Sequence, residues 1–482
     1  MKKIILCLAA LFGLTLAPVQ AQSNALTLRD ITDGAYSPRY VYGVKPMRDG
    51  EHYSQLSSDY RRIVVSSFRT GKETSTLFDA AKAQGPVKLE TIDGYILSPD
   101  EQFILLQTKT KAIYRRSFTA EYYLFDVKNN SFVPLSTGGP QQVPQFSPDG
   151  NVIGFVREDN LFIVKLLYGN AEIQVTKDGK FNEIINGIPD WVNEEEFSTN
   201  CSFGFSADSQ MLAWVRYDES GVDIYHMQMF KGSHPAHADN DLYPGEYAYK
   251  YPVAGTPNSK VSVHSYDIKN RVTRTLKVPL DADGYIPRIH FTDDPTKLAV
   301  ITLNRHQNRM EVYMVNPRST EAKMVLRETN DRYIREAAYT DMKFYKGHFS
   351  LLSERTGYQQ LYWYTLNGQL EQTVTKGNFE VTHFYGYDEA AGRFFYSARA
   401  ESPLRQEVYM ADRKGKVTRL SKQTGTNAAT FSTTMKYFMN VYSSAQQPPL
   451  TTLCDATGKT LTTLVDNADL KQKVNGRLGT KE

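Results

Sequence analysis

The segment Asp190-Trp191-Val192-Asn193-Glu194-Glu195-Glu196-Phe197 gathers three consecutive carboxylates between aromatic residues. If it is helical, Glu195 and Glu196 project about 100° apart and both can lean toward one site. On a strand, neighbouring side chains point to opposite faces and the pair is split. Trp191, Val192 and Phe197 are spaced to anchor one side of a helix, so the helical form is expected. Two carboxylates in one pocket repel, and one takes up a proton unless a cation is near. Such a pair suits an ammonium group. On residue pattern alone, a solvated acidic turn is the competing reading.

The rest of the 482-residue chain reads as the scaffold that presents this segment. Length by itself suggests about three domains. The pattern argues otherwise. From about residue 40, short apolar runs alternate with turns rich in Gly, Asp, Asn and Pro, and long helical periodicity is nearly absent. The 31 Tyr and 24 Phe fit sheets. A phase marker recurs: an apolar residue, a Ser/Thr-x-Asp turn, then an apolar strand. Clear copies are Leu97-Ser98-Pro99-Asp100, Phe146-Ser147-Pro148-Asp149, Phe205-Ser206-Ala207-Asp208 and Phe291-Thr292-Asp293-Asp294. Weaker copies start near Met47, Met342, Tyr387 and Phe431. Units of roughly 40–50 residues holding four strands are propeller blades, which bury one another in a ring. The predicted fold is all-β: an eight-bladed β-propeller over residues 22–465 with a short helical acidic insertion.

Two units carry extra chain. One holds the acidic segment. The other holds an insertion over Gly232–Ser259, with His234, His237 and a Tyr-rich run from Tyr243 to Tyr251. Loops of that length usually have a function or lack order. Residues 466–482 are polar and read as a linker. Residues 1–21 read as a secretory signal: Lys2 and Lys3, an apolar run from Ile4 to Leu16, and Val19-Gln20-Ala21 before the cut. The expectation is an exported protein, periplasmic or extracellular, with no membrane span after cleavage. The net charge of +3 argues against a nucleic-acid surface. Cys201 and Cys454 are expected as unpaired buried thiols. No Cys/His cluster has metal-ligand spacing, and neither a metal nor a cofactor is expected.

At Asn186-Gly187-Ile188-Pro189-Asp190-Trp191-Val192 and the Glu run, the sequence resembles the dipeptidyl peptidase IV family of serine exopeptidases. Tyr114-Arg115-Arg116-Ser117-Phe118-Thr119-Ala120, Tyr249 to Gly255 with Asn258, Leu303-Asn304-Arg305 and Ser353 to Tyr358 add to it. The resemblance implies that Glu195 and Glu196 hold the free amino terminus of a substrate peptide. It implies that Arg115 orients the substrate carbonyl and steadies the acidic pair. Asn193 stands where the family commonly has Tyr. The family's α/β-hydrolase domain, with its Gly-x-Ser-x-Gly nucleophile elbow, is expected to be absent from this chain, so no catalytic residue is assigned. The nearest motif, Gly204-Phe205-Ser206-Ala207-Asp208, falls on a blade marker. The implied partners are peptides with free amino termini, a separate hydrolase domain or chain, and a second copy bound through the blade extension. Three readings stay open: an exopeptidase propeller lacking its catalytic half, a non-catalytic peptide-binding propeller, and a partner-binding ring.

Overall fold

In the computed structural model, residues 26–230, 240 and 242–478 are described. The leader expected over 1–21 and the His234–His237 part of the insertion lie outside them. The described chain forms eight sheets in sequence order, seven of four strands and one of five, with a separate two-stranded hairpin. Four short α-helices accompany them: α1 (Leu28–Thr32), α2 (Trp191–Glu196), α3 (Ala337–Thr340) and α4 (Ala468–Leu478). This is the eight-bladed propeller that the markers predict.

The strand sequences explain the stacking. Second and third strands lie between neighbouring sheets and carry most of the buried apolar positions, as in Leu298–Leu303, where every residue is buried. Outer strands face water on most positions, as in Glu73–Asp79. Apolar clusters join each sheet to the next around the ring: Ile63 with Ile104, Leu105 with Ile153, Val156 with Trp214, Val300 with Leu212, Val312 with Leu351, Trp363 with Phe394, Phe395 with Phe438, and Tyr53 with Tyr437.

All the markers but the one that starts at Met342 sit in the turn from the first to the second strand of their blade. In the strong copies the chemistry repeats. Ser98 Oγ donates to Asp100 Oδ1 at 2.6 Å and accepts from Phe103 N at 2.9 Å. Ser147 with Asp149 and Val152, and Ser206 with Asp208 and Met211, repeat both bonds. The Ser98 hydroxyl holds the Asp100 carboxyl below its ordinary value. These are Asx-type turns stabilised by their own side chains.

Among the described residues, all strands of the first blade come from residues 45–79 and all strands of the last from 426–465, so none is exchanged across the ring's closure. Side chains make the seam. Phe68 stacks on Tyr437, Arg69 Nη2 donates to the Tyr437 hydroxyl at 2.6 Å, and Thr433 Oγ1 donates to Met47 O at 2.7 Å. The segment read as a linker carries α4 and is fastened there. Asn467 Nδ2 donates to Arg39 O at 3.0 Å, its Oδ1 accepts from Arg39 N at 2.9 Å, and Arg39 pairs with Asp469 at 2.8 Å.

Candidate functional site

The acidic segment interrupts the innermost strand of the fourth blade. That strand is split into Ile184–Asn186 and Phe203–Phe205, and both halves pair with Met211–Asp218. Asn186 lies opposite Arg216 and Phe203 opposite Trp214, so the chain leaves and returns across a single ladder position, Val215. Three backbone bonds close the neck: Gly187 N to Val215 O at 3.1 Å, Ser202 N to Gly187 O at 2.9 Å, and Val215 N to Ser202 O at 2.8 Å. Gly187 has φ +80°, and a Cβ there would meet the Leu161 side chain at 3.0 Å. A left-handed conformation and a tight neighbour both favour glycine. Gly187→Val is therefore expected to cost about 1–3 kcal/mol. A chemical denaturation curve that overlays the parent's would contradict this.

α2 begins at the N-cap Asp190, whose Oδ1 accepts from Asn193 N and from Asn193 Nδ2, each at 2.8 Å. Ser259 Oγ, just before the strand Lys260–Asp267, donates to Asp190 Oδ2. A six-residue helix is not stable alone and is held by its surroundings. Trp191 packs against Tyr249 and Tyr251 at ring separations of 6.1 and 4.6 Å. Phe197, 1% exposed, makes edge contacts with Tyr285 and Tyr339. Asn193 is buried and turned back to the N-cap, away from any open face.

The three glutamates take three environments. Glu194 is buried, and its Oε1 accepts from Arg116 N at 2.8 Å and Ser117 N at 2.9 Å. It thereby fastens α2 to the tip of a long hairpin in the second blade, Phe103–Ala112 and Phe118–Asp126. Glu195 is a quarter exposed, and Arg115 Nε lies 2.9 Å from its Oε1 and 3.0 Å from its Oε2. Arg116 Nη1 stands 3.4 Å from Glu195 Oε2, and its Nη2 donates to Ser198 Oγ at 3.0 Å. Glu196 is exposed at the end of the helix, and no hydrogen bond or ion pair engages it among the described residues. Its charge is felt by the Tyr285 and Tyr339 hydroxyls, which burial already pushes up.

Arg115 and Glu195, 80 positions apart in sequence, thus meet. The helical register expected for the Glu run is present. What the sequence reading missed is that the first glutamate is a buried fastener and that Arg116 is a second guanidinium on Glu195. The dipeptide Arg115-Arg116 opposite three glutamates was the available signal. Arg288 adds a third positive group nearby: its Nη2 donates to Ser198 O at 3.3 Å.

The sequence places the insertion in a second enlarged unit, but it leaves and re-enters the same blade as the acidic segment, between Met211–Asp218 and Lys260–Asp267; its hairpin, Ile224–Met229 with Gly245–Lys250, pairs apart from the blade sheet. Its first strand is almost wholly exposed, so it projects. Its root is not detached from the site. Tyr249 lies 6.1 Å from both Tyr114 and Trp191, and Tyr225 packs on Tyr251.

Ser206 is fully buried in its marker turn, donating to Asp208 Oδ1 and accepting from Met211 N. A nucleophile needs an adjacent base and access to substrate. The 482-residue chain is expected to leave a Gly-Pro chromogenic amide intact. Turnover that disappears in Ser206→Ala would overturn that expectation. Cys201 is half-buried and Cys454 buried, and both are free.

Residues 98–449 match the family described as "Dipeptidyl peptidase IV (DPP IV) N-terminal region". A probable dipeptidyl peptidase 4 of Aspergillus flavus is 27% identical over 95% of this chain and 60% of its own length. A probable dipeptidyl-aminopeptidase B of Fusarium vanettenii is 30% identical over 81% of this chain and 47% of its own. The crystal structure of Porphyromonas gingivalis dipeptidyl peptidase 4 superposes with a TM-score of 0.89 at 41% identity, covering 93% of this chain and 63% of that one. The chain therefore spans about half to three fifths of the relatives it matches. Fold, motifs and matches agree: the chain belongs to the dipeptidyl peptidase IV family and corresponds to its N-terminal propeller region.

Proposed function

We propose that this propeller is the substrate-recognition part of an exported dipeptidyl peptidase IV-like serine exopeptidase, and that Glu195 and Glu196 bind the free amino terminus of a peptide. The observation that carries the reading is the meeting of Arg115 with Glu195 beside an exposed, unengaged Glu196. An ammonium offers three donors, and charge-assisted bonds to two carboxylates are stronger than neutral ones. The guanidiniums of Arg115 and Arg116 offset the repulsion between the glutamates. Arg115 is 71% exposed on its side chain, so this ion pair contributes little to folding and its value lies in placing Glu195. Acylating the peptide amine removes the charge and two of the donors.

The acyl-transfer chemistry is assigned to a Ser-Asp-His hydrolase domain that meets this face of the ring. The projecting hairpin is assigned to assembly with a second copy. The leader-like residues 1–21 support export, and the mature amino terminus at Gln22 can be read by Edman sequencing.

The deciding measurement compares a short Xaa-Pro peptide with a free amino terminus and its N-acetyl form, by calorimetry on the 482-residue chain at low salt. The free peptide is expected to bind weakly, with affinity that falls as salt rises. Equal affinity for the two peptides would remove the proposal.

A further inference from the structure

α2 also walls a cavity of about 180 Å³, several times the volume that one water needs. Tyr114, Trp191 and the exposed Phe181 are among its lining residues. Four carboxylates line it: Asp159, Asp190, Glu194 and Glu219. Two are already engaged. Glu194 holds the Arg116 and Ser117 amides, and Asp190 holds Asn193 and Ser259. The other two are not. Among the described residues no hydrogen bond or ion pair reaches the carboxylate of Asp159 or of Glu219, and Glu219 is only 5% exposed. Among the described residues the one cation on the lining is Lys250, whose Nζ donates to Val222 O at 2.5 Å and forms no ion pair with either carboxylate.

Leaving such a group buried without a partner is costly, so its charge is suppressed. Burial first, then Asp190 and Asp159, push the Glu219 carboxyl up to about 8, against the pull of Lys250. Burial, with Glu158, pushes Asp159 up to about 6. Tyr114 faces the same charges and is pushed up as well, by burial first. At neutral pH the cavity therefore carries a proton on Glu219 where a cation would sit.

The lining selects the kind of cation. A hard divalent metal takes six or more oxygen ligands, and two of the four carboxylates here are committed to protein donors. Among the described residues no group of three or more His, Cys, Asp or Glu is arranged to hold a metal ion. Aromatic walls beside carboxylates suit an organic cation, which gains from the ring faces and from ionic hydrogen bonds together.

We propose that the cavity bounded by Glu219, Asp159, Tyr114 and Trp191 is a second cation site, separate from Glu195 and Glu196, that takes a small alkylammonium or guanidinium group. On binding, Glu219 releases its proton to solvent, and the carboxylate left behind pairs with the cation.

The test is calorimetric titration of ethylammonium chloride into the full chain at pH 6, 7 and 8, in two buffers of different ionisation heat. For a site whose carboxyl titrates at about 8, binding is expected to be about fiftyfold weaker at pH 6 than at pH 8. At pH 7 close to one proton is expected to be released per cation bound. Raising the pH ionises the empty site, so affinity must rise with pH and not fall. Glu219→Gln, which has the shape and neutrality of the protonated acid, should keep its near-UV circular dichroism and lose the pH-dependent, proton-releasing binding. Glu195→Gln should retain it. N-acetyl-lysinamide with the same pH profile would assign the site to side chains, and ethylammonium alone to small free amines. The proposal falls if ethylammonium does not saturate, if its affinity is the same at pH 6 and 8, or if Glu219→Gln leaves it unchanged. Loss of binding in Glu195→Gln alone would also overturn it, and would leave the Glu195–Glu196 clamp as the amine site.

Discussion

Glu195→Gln is expected to weaken binding of a free-amine peptide by roughly 10- to 150-fold while barely moving stability. The affinity figure is the loss of one hydrogen bond to a charged group, about 1.5–3 kcal/mol. The stability figure follows from exposure: the Glu195 side chain is a quarter exposed and its partner Arg115 mostly so, and such pairs contribute about 0–1 kcal/mol. The substitution has a second consequence. Arg115 and Arg116 no longer face a carboxylate, so the positive charge they carry turns against an incoming ammonium. Glu196→Gln lacks that effect, because no guanidinium is within ion-pair distance of Glu196 among the described residues. Glu195→Gln should therefore be the more damaging of the two. Calorimetry on both variants, with the acetylated peptide as control, checks the order. Equal losses would mean that the arginines do not act through Glu195.

Glu194→Ala is expected to cost about 2–6 kcal/mol of stability and to abolish peptide binding as well. Its carboxylate is 2% exposed and is the acceptor for two backbone amides in the hairpin tip. Removing it leaves both donors without that acceptor, at about 1–3 kcal/mol each. The hairpin tip carries Arg115, so the loss reaches Glu195 without touching it. Urea denaturation with an unchanged m-value measures the first effect. Hydrogen exchange at residues 113–117 measures the second. Glu194→Gln keeps an acceptor oxygen and should lose about half as much. An alanine variant within about 0.5 kcal/mol of the parent would show that the hairpin tip is held by other contacts.

The ring was legible because its signals are local. Ser98-Pro99-Asp100 and its repeats are turns that bond themselves, and Leu298–Leu303 can only be a strand buried on both faces. The helix of the acidic segment was legible for the same reason: Asp190 caps it within three residues. Long-range placement was not. Nothing in Glu194-Glu195-Glu196 shows which carboxylate is buried, because that depends on a hairpin about 80 residues upstream. Asp159 and Glu219 are separately unremarkable in sequence and acquire a chemistry only when blade turns and α2 enclose them. The anchoring of the tail was not legible in composition: α4 is polar, yet Asn467 and Asp469 fix it to residue 39 through side chains that hydropathy does not weigh.

The unlaced seam gives the molecule a mechanical character. Where a closing strand is shared, tension between the two chain ends shears a whole ladder of bonds at once. Here residues 39 and 467 lie together at the junction, and the contacts behind them are separate: Arg39 with Asp469, Arg69 with Tyr437, Phe68 on Tyr437. A pull through the ends loads these in turn, like a snap fastener opened from one edge. The other seven inter-blade joints bear no load until the fastener parts. The ring is thus a clip with a defined release point, and a disulfide bridging that one joint would stiffen the whole circle.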